Sequence, residues 1–115
     1  MESSFSGDSF ITIVTIEEVM RGWLAVVKRA RDSKSEIFSY DQLHQLVTEV
    51  PKKWEILQWD EDCAEIFSEL RSNGVRIGTM DLKIASIAMA HEATLISKNL
   101  KDFNQVPGLD VRDCG

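Results

Sequence analysis

The segment that most constrains the fold spans residues 77–103, IGTMDLKIASIAMAHEATLISKNLKDF, where an apolar helix runs directly into a short apolar strand. The part MDLKIASIAMAHE predicts a helix capped by Thr79, and TLIS, residues 94–97, predicts a strand. Near the N-terminus, the β-branched run FITIV at 10–14 predicts another strand, which a helix follows. Strands that alternate with helices are typical of an α/β fold with a mainly parallel sheet flanked by helices.

The remaining elements follow the same alternation. The first helix has an apolar stripe at every third or fourth residue, and Thr15 with Glu18 predicts a capping box at its start. We expect Pro51 to stop the second helix and Gly74 to end the third. The predicted ranges are a helix at 36–49, a strand at 54–59, a helix at 60–74 and a final strand at 109–114.

Length and composition indicate one domain, residues 1–115, with an ordinary globular balance of 43% hydrophobic and 28% charged residues. No apolar run approaches the roughly 20 residues of a membrane span, and the N-terminus, MESSFSGDSF, does not have the form of a signal peptide. The two cysteines, Cys63 and Cys114, lack metal-ligand spacing, which favours free thiols over a disulfide. These features predict a cytoplasmic protein.

The net charge of −6 and the pI of about 4.8 argue against a non-specific nucleic-acid binder, which would need a basic face. They do not exclude an enzyme that acts on nucleic acid. Carboxylates that hold metal ions count as negative until the metal binds.

Three acids fall where parallel α/β folds place their sites, beyond the carboxyl ends of strands. Glu18 follows strand 10–14 and Asp102 follows strand 94–97. Asp81 lies at the start of the helix that leads into strand 94–97. Convergent carboxylates without His or Cys favour Mg²⁺ or Mn²⁺, whose usual chemistry is phosphodiester hydrolysis by an activated water. Each acid also has a purely structural explanation as a helix cap or a dipole partner. His44 and His91 are interpreted as structural or solvent-facing.

The stretch GTMDLKIASIAMAHEATLISKNLKDFNQVPGLDVRD resembles the C-terminal half of PIN-domain proteins, and most of all VapC-type toxins of bacterial toxin–antitoxin pairs. It has an Asp opening an Ala-rich helix, a short strand, then Ser-x-Asn-x-x-Asp-Phe and a Val-Pro-Gly-Leu tail. The stretch ITIVTIEEVMRGWL is similar to the family's strand and helix with an acid before the apolar stripe. The resemblance implies a PIN-like three-layer α/β fold.

It also implies a metal-dependent ribonuclease in which acids bind Mg²⁺ or Mn²⁺. By position, Glu18, Asp81 and Asp102 match the family's catalytic and metal-binding acids, and Asn99 matches a further metal-site position that some members fill with Asp. Ser97 matches the Ser/Thr that orients this loop, and Glu17 is the alternative to Glu18 if the register slips by one.

One element of the family pattern is missing. Members begin with a central strand that ends in a metal-binding Asp, whereas this sequence starts at MESSFSGDSF, where Asp8 follows no apolar strand. The resemblance therefore implies a PIN domain without its first strand–helix unit, one carboxylate short and with an open sheet edge that dimerisation, strand exchange or rearrangement would cover. A reading frame that begins further upstream would explain the same pattern.

Two functions remain open. The first is a VapC-like domain of ribonuclease ancestry, acting on RNA if active. The second is a non-catalytic interaction module that keeps a surface for an antitoxin or a second copy of the chain. The helical stripe Ile16, Val19, Met20 and Trp23 could form that surface or belong to the core.

Overall fold

The computed structural model describes residues 10–113, in which one to three helices separate successive short strands. The chain divides into two compact units, Met1–Ile56 and Leu57–Gly115. Within the described residues the elements are β1 Phe10–Thr12, α1 Ile13–Arg29, α2 Ser33–Thr48, α3 Val50–Lys53, β2 Glu55–Leu57, α4 Glu61–Ser72, α5 Thr79–Ala90, β3 Leu95–Ser97, α6 Leu100–Phe103 and β4 Val111–Asp113. These strands form two sheets of two strands each, β1 with β2 and β3 with β4.

In the first unit, α1 and α2 pack against each other. The rings of Trp23 and Phe38 meet edge to face between the two helices, with centroids 5.8 Å apart. Asp32 caps α2, because its Oδ1 accepts a hydrogen bond of 2.7 Å from the Ser35 backbone N–H. Pro51 lies in the first turn of α3, where its missing N–H costs no helical hydrogen bond. The second helix therefore ends at Thr48, close to the predicted boundary.

The start of α1 differs from the sequence prediction. The helix begins at Ile13, and Thr12 is its N-cap, with Oγ1 accepting a 3.0 Å hydrogen bond from the Thr15 N–H. The predicted cap at Thr15 and its capping box with Glu18 are therefore wrong. Two threonines three residues apart offer the same capping chemistry. Thr12 is the N-cap because its backbone has the extended conformation that an N-cap requires, with ψ of 152°. As a result, Glu18 lies one turn further into the helix.

The second unit is built around α5, which packs against α4. Six consecutive or near-consecutive residues of α5 are buried, so this helix is apolar on almost every side, as a core helix must be. They are Leu82, Ile84, Ala85, Ser86, Ile87 and Ala88. After α4, Gly74 has a φ of +85°, and the Val75 N–H bonds the Leu70 carbonyl at 3.0 Å, which confirms the predicted glycine end of the helix.

β3 and β4 pair in parallel, with Leu95 opposite Val111 and Ser97 opposite Asp113. A parallel pair of this kind needs a crossover, and the segment between the strands supplies it with the short helix α6, which the sequence pattern did not predict. The α/β class and its parallel pairing are confirmed. The single-domain organisation stays a prediction.

The predicted cap at Thr79 is wrong. Thr79 is the first residue of α5, Gly78 precedes it as the N-cap, and the Thr79 hydroxyl instead accepts a 3.0 Å hydrogen bond from Arg71 of α4. Asp81 nevertheless lies in the first turn of α5, as expected. Asp8 and Cys114 lie outside the described residues. Within residues 10–113, no helix combines the length and the apolar character needed to cross a bilayer.

Candidate metal centre

The side chain of Asn99 connects two of the predicted acids. Its Nδ2 donates a hydrogen bond of 3.1 Å to Oδ2 of Asp102 and a longer one of 3.4 Å to Oδ2 of Asp81. Two carboxylates repel each other at short range, and an N–H donor shared between them relieves part of that repulsion. Three of the four residues predicted as a metal site therefore form one cluster.

Each member of this cluster is positioned by a helix start or a strand end. Asp81 lies in the first turn of α5 and Asp102 in the first turn of α6. Asn99 lies between β3 and α6, where its backbone N–H donates a 2.9 Å hydrogen bond to Oγ of Ser97, the last residue of β3. The Ser97 hydroxyl thus holds the turn that carries Asn99. Phe103, which is buried, anchors α6 in the core of this unit.

The donor atoms of the cluster suit a hard divalent cation. Two carboxylates and an amide carbonyl supply only oxygen, and Mg²⁺ is commonly bound through one or two carboxylates with waters completing its octahedron. The Asn99 amide now directs its N–H₂ at both carboxylates. A rotation of the amide by half a turn would present Oδ1 to the same space. Asp81 and Asp102 are half-buried and Asn99 is exposed, so the cluster is open to solvent.

Glu18, the fourth predicted residue, belongs to the first unit. It lies on α1 and is exposed. The alternative acid, Glu17, is engaged on the same helix, where Oε2 accepts a 2.7 Å hydrogen bond from Arg21 as an i,i+4 ion pair. Glu18 is therefore the less constrained of the two acids within α1.

Sequence reasoning missed a second group, in which Asp60, Cys63 and His91 place one ligand atom each within 4.8 Å of the others. Asp60 is the N-cap of α4, and the hydrogen bond from the Cys63 backbone N–H holds the pKa of this carboxyl below its usual value. Burial raises the pKa of the Cys63 thiol. The Asp-x-x-Cys spacing was the available signal, because an N-cap and the third helical residue face each other across one turn. His91, 28 residues further on, gave no local signal.

Comparisons with known proteins agree on one family. The family model that describes the PIN domain matches residues 1–109. Ribonuclease VapC2 of Rickettsia felis is 41% identical over 59 residues, which is 48% of this chain and 44% of the relative, so the chain aligns with less than half the length of that protein.

Solved structures give the same result for the fold. The VapBC2 complex of Rickettsia felis, bound to a DNA fragment from its promoter, superposes with a TM-score of 0.64 at 25% identity, over 92% of this chain and 74% of that one. FitAcB of Neisseria gonorrhoeae reaches a TM-score of 0.69 at 22% identity, over 92% and 75% of the two chains.

Proposed function

Because this chain belongs to the PIN domain family, we propose that it is a VapC-like domain of ribonuclease ancestry in which Asp81, Asn99 and Asp102 bind Mg²⁺ or Mn²⁺. The observation that carries the proposal is the shared hydrogen bonding of Asn99 to both carboxylates. It brings together residues that are 18 and 3 positions apart in the sequence. The similarity to a protein named as a ribonuclease supports the proposed substrate class, RNA.

In this proposal, each residue has a defined task. Asp81 and Asp102 supply the negative charge, Asn99 keeps the two carboxylates together, and Ser97 fixes the backbone of Asn99 through its hydroxyl. A bound Mg²⁺ or Mn²⁺ would supply an activated water and stabilise the leaving oxygen of an RNA phosphodiester. Glu18, which matches the family's helix acid by position, stays a proposed metal-binding acid on the family pattern alone.

Metal binding is the step to test first, because it does not require the RNA target to be known. Calorimetric titration of Mn²⁺ into the full chain is expected to give a saturable signal that Asp81→Asn and Asp102→Asn each weaken at least tenfold. Each substitution removes one carboxylate while keeping the side-chain size. Glu65→Gln, at an exposed position of α4, makes the same charge change away from the cluster and is expected to leave the titration unchanged.

RNA cleavage is then measured with Mg²⁺ or Mn²⁺ on a mixed pool of single-stranded and structured RNAs. Cleavage by the parent chain that Asp81→Asn abolishes and Glu65→Gln retains would establish the enzyme. Absence of Mn²⁺ binding in the parent chain would contradict the proposed centre, and metal binding without cleavage would favour the second function.

The second candidate is an interaction module, and exposed apolar side chains on α1 and α2 favour it. The α1 stripe is only partly covered: Val19 is 39% exposed, while Ile16, Met20 and Trp23 are half-buried. Leu24, the next residue on α1, is 51% exposed. The VapBC2 structure is that of a complex, and an antitoxin segment that packs on such a stripe is the corresponding partner for this chain. Loss of binding to a co-expressed antitoxin in Leu24→Asp, with binding retained in Ser68→Asp, would support this reading.

A further inference from the structure

A second group of possible metal ligands lies where the start of α4 meets the end of α5, at the opposite end of α5 from Asp81. Asp60 precedes α4 as its N-cap, Cys63 lies in the first turn of α4, and His91 is the C-cap of α5. We propose that these three residues form a Zn²⁺ site. Two elements distant in sequence thus converge on one point, and they bring three different kinds of ligand atom: an oxygen, a sulfur and a nitrogen.

The distances permit a metal ion with only small adjustments. The three ligand atoms all lie within 4.8 Å of one another, so some point lies within about 2.8 Å of each of them. Zn²⁺ bonds are about 2.0–2.3 Å long, so each atom must approach by at most about 0.5–0.8 Å. Asp60 and His91 are exposed and can make that movement by side-chain rotation, while Cys63 is fully buried and fixes the third position.

The donor set selects the type of metal. Thiolate and imidazole ligands suit Zn²⁺, whereas Mg²⁺ and Mn²⁺ prefer the all-oxygen set of Asp81, Asn99 and Asp102. The same chain would therefore hold two cations of different chemistry at two separate places. The Zn²⁺ site does not depend on the ribonuclease proposal.

The Gln58 carbonyl oxygen holds two of the three proposed ligands in place. It accepts a hydrogen bond from the Cys63 thiol at 3.5 Å and another from Nε2 of His91 at 3.2 Å. Both side chains therefore already point at one small region. This pre-organisation reduces the entropy lost when a ligand orders the site.

Binding exchanges a proton for the metal. The S–H bond of Cys63 breaks, the proton passes to solvent, and the sulfur forms a bond to Zn²⁺, while a neutral ring nitrogen of His91 donates its lone pair. Asp60 binds as a carboxylate, the form that an aspartate takes at neutral pH. The fourth position of a tetrahedron is open to the Gln58 carbonyl oxygen or to water. The metal would tie the start of α4 to the end of α5.

The test uses Co²⁺ as a spectroscopic substitute for Zn²⁺ on the full chain. A thiolate–Co²⁺ bond gives a near-ultraviolet charge-transfer band and tetrahedral coordination gives visible bands, neither of which an oxygen site produces. We expect both sets of bands to saturate at one Co²⁺ per chain and to disappear when Zn²⁺ is added. Asp60→Asn and His91→Gln are each expected to weaken Co²⁺ binding at least tenfold, and Cys63→Ser to abolish the charge-transfer band.

The controls separate metal binding from folding. Asn is as good an N-cap as Asp, so Asp60→Asn keeps α4 capped, and circular dichroism of each variant checks the fold where the buried Cys63→Ser could disturb it. Cys114→Ser removes the other thiol, and Asp81→Asn removes a ligand of the proposed Mg²⁺ site. Both should bind Co²⁺ like the parent chain. The proposal is overturned if the parent shows no charge-transfer band, if Cys114→Ser removes it, or if either Asp60→Asn or His91→Gln leaves the affinity unchanged.

Discussion

At the scale of single residues, Asn99 has the most informative position, because its neutral amide sits between two carboxylates. The amide N–H₂ stabilises Asp81 and Asp102 in the absence of metal. A carboxylate at this position would instead add charge to the site. The residue therefore balances the stability of the metal-free chain against affinity for a cation, and the two properties can be measured separately.

We predict that Asn99→Asp shifts these two properties in opposite directions. A third carboxylate raises the charge of the site and should tighten Mn²⁺ binding about tenfold, since ligand charge tunes affinity at oxygen sites. In chelator-treated protein the same change should lower the melting temperature, because three carboxylates that repel one another replace two carboxylates joined by an amide donor. Calorimetry and thermal melting check the two effects. Asn104→Asp, an exposed substitution at the C-cap of α6, is the matched control and should not tighten Mn²⁺ binding.

At the scale of whole elements, periodicity predicted the helices well and their first residues less well. The apolar spacing that predicted α1, α2, α4 and α5 reflects burial against a neighbour, which a pattern records directly. The caps depend on which hydroxyl or carbonyl is nearest after folding. Thr12 took the role expected of Thr15, and Arg71 of another helix engaged the hydroxyl of Thr79. Thr12 and Thr15 offer the same capping chemistry within one short window, so the sequence does not choose between them. The hydrogen bond from Arg71 to Thr79 depends on how α4 and α5 pack.

The candidate sites show the same limit. Asp81, Asn99 and Asp102 could be predicted together because a family pattern keeps them in one short segment. Asp60, Cys63 and His91 could not, because their proximity requires the end of α5 to meet the start of α4. The four-residue α6 was also missed, since four residues carry too little periodicity to predict a helix.

The N-cap of α2, Asp32, gives a prediction about how stability depends on pH. The hydrogen bond from the Ser35 backbone N–H lowers the pKa of Asp32, so the folded chain favours the ionised carboxylate. A group whose pKa is depressed on folding stabilises the protein above its unfolded pKa and loses that contribution as pH falls through the folded value. Asp32→Ala should therefore lower the melting temperature at pH 7, and the gap from the parent should narrow below about pH 4.

Melting curves of the parent and of Asp32→Ala between pH 7 and pH 2 measure this gap. Asp32→Asn is the matched control: its amide oxygen still accepts the Ser35 N–H but does not titrate, so its melting temperature relative to Asp32→Ala should not change through the acid range. A gap that stays constant through the acid range would contradict a role for the charge of Asp32.

At the scale of the whole molecule, the distribution of apolar surface is the property that sequence analysis could not supply. The first unit exposes large apolar side chains on α2, and three of them recur at spacings of three and seven residues, so they share one face of the helix. Ile37 is 68% exposed, Tyr40 56% and Val47 58%. Monomeric proteins rarely expose such a stripe. We therefore expect a second copy of the chain, the partner in a homodimer, to cover it.

We predict that the chain forms a dimer through this α2 stripe, defined by Ile37, Tyr40 and Val47. Ile37→Asp places a charge at its most exposed apolar position and should weaken dimerisation at least tenfold, because a carboxylate buried in an apolar interface loses its hydration without gaining a partner. Sedimentation equilibrium over a range of concentrations measures the dissociation constant. Ser68→Asp adds the same charge at an exposed site of α4 in the second unit and should leave the constant unchanged. A monomeric parent chain would refute the dimer, and equal weakening by both variants would assign the effect to net charge rather than to the stripe.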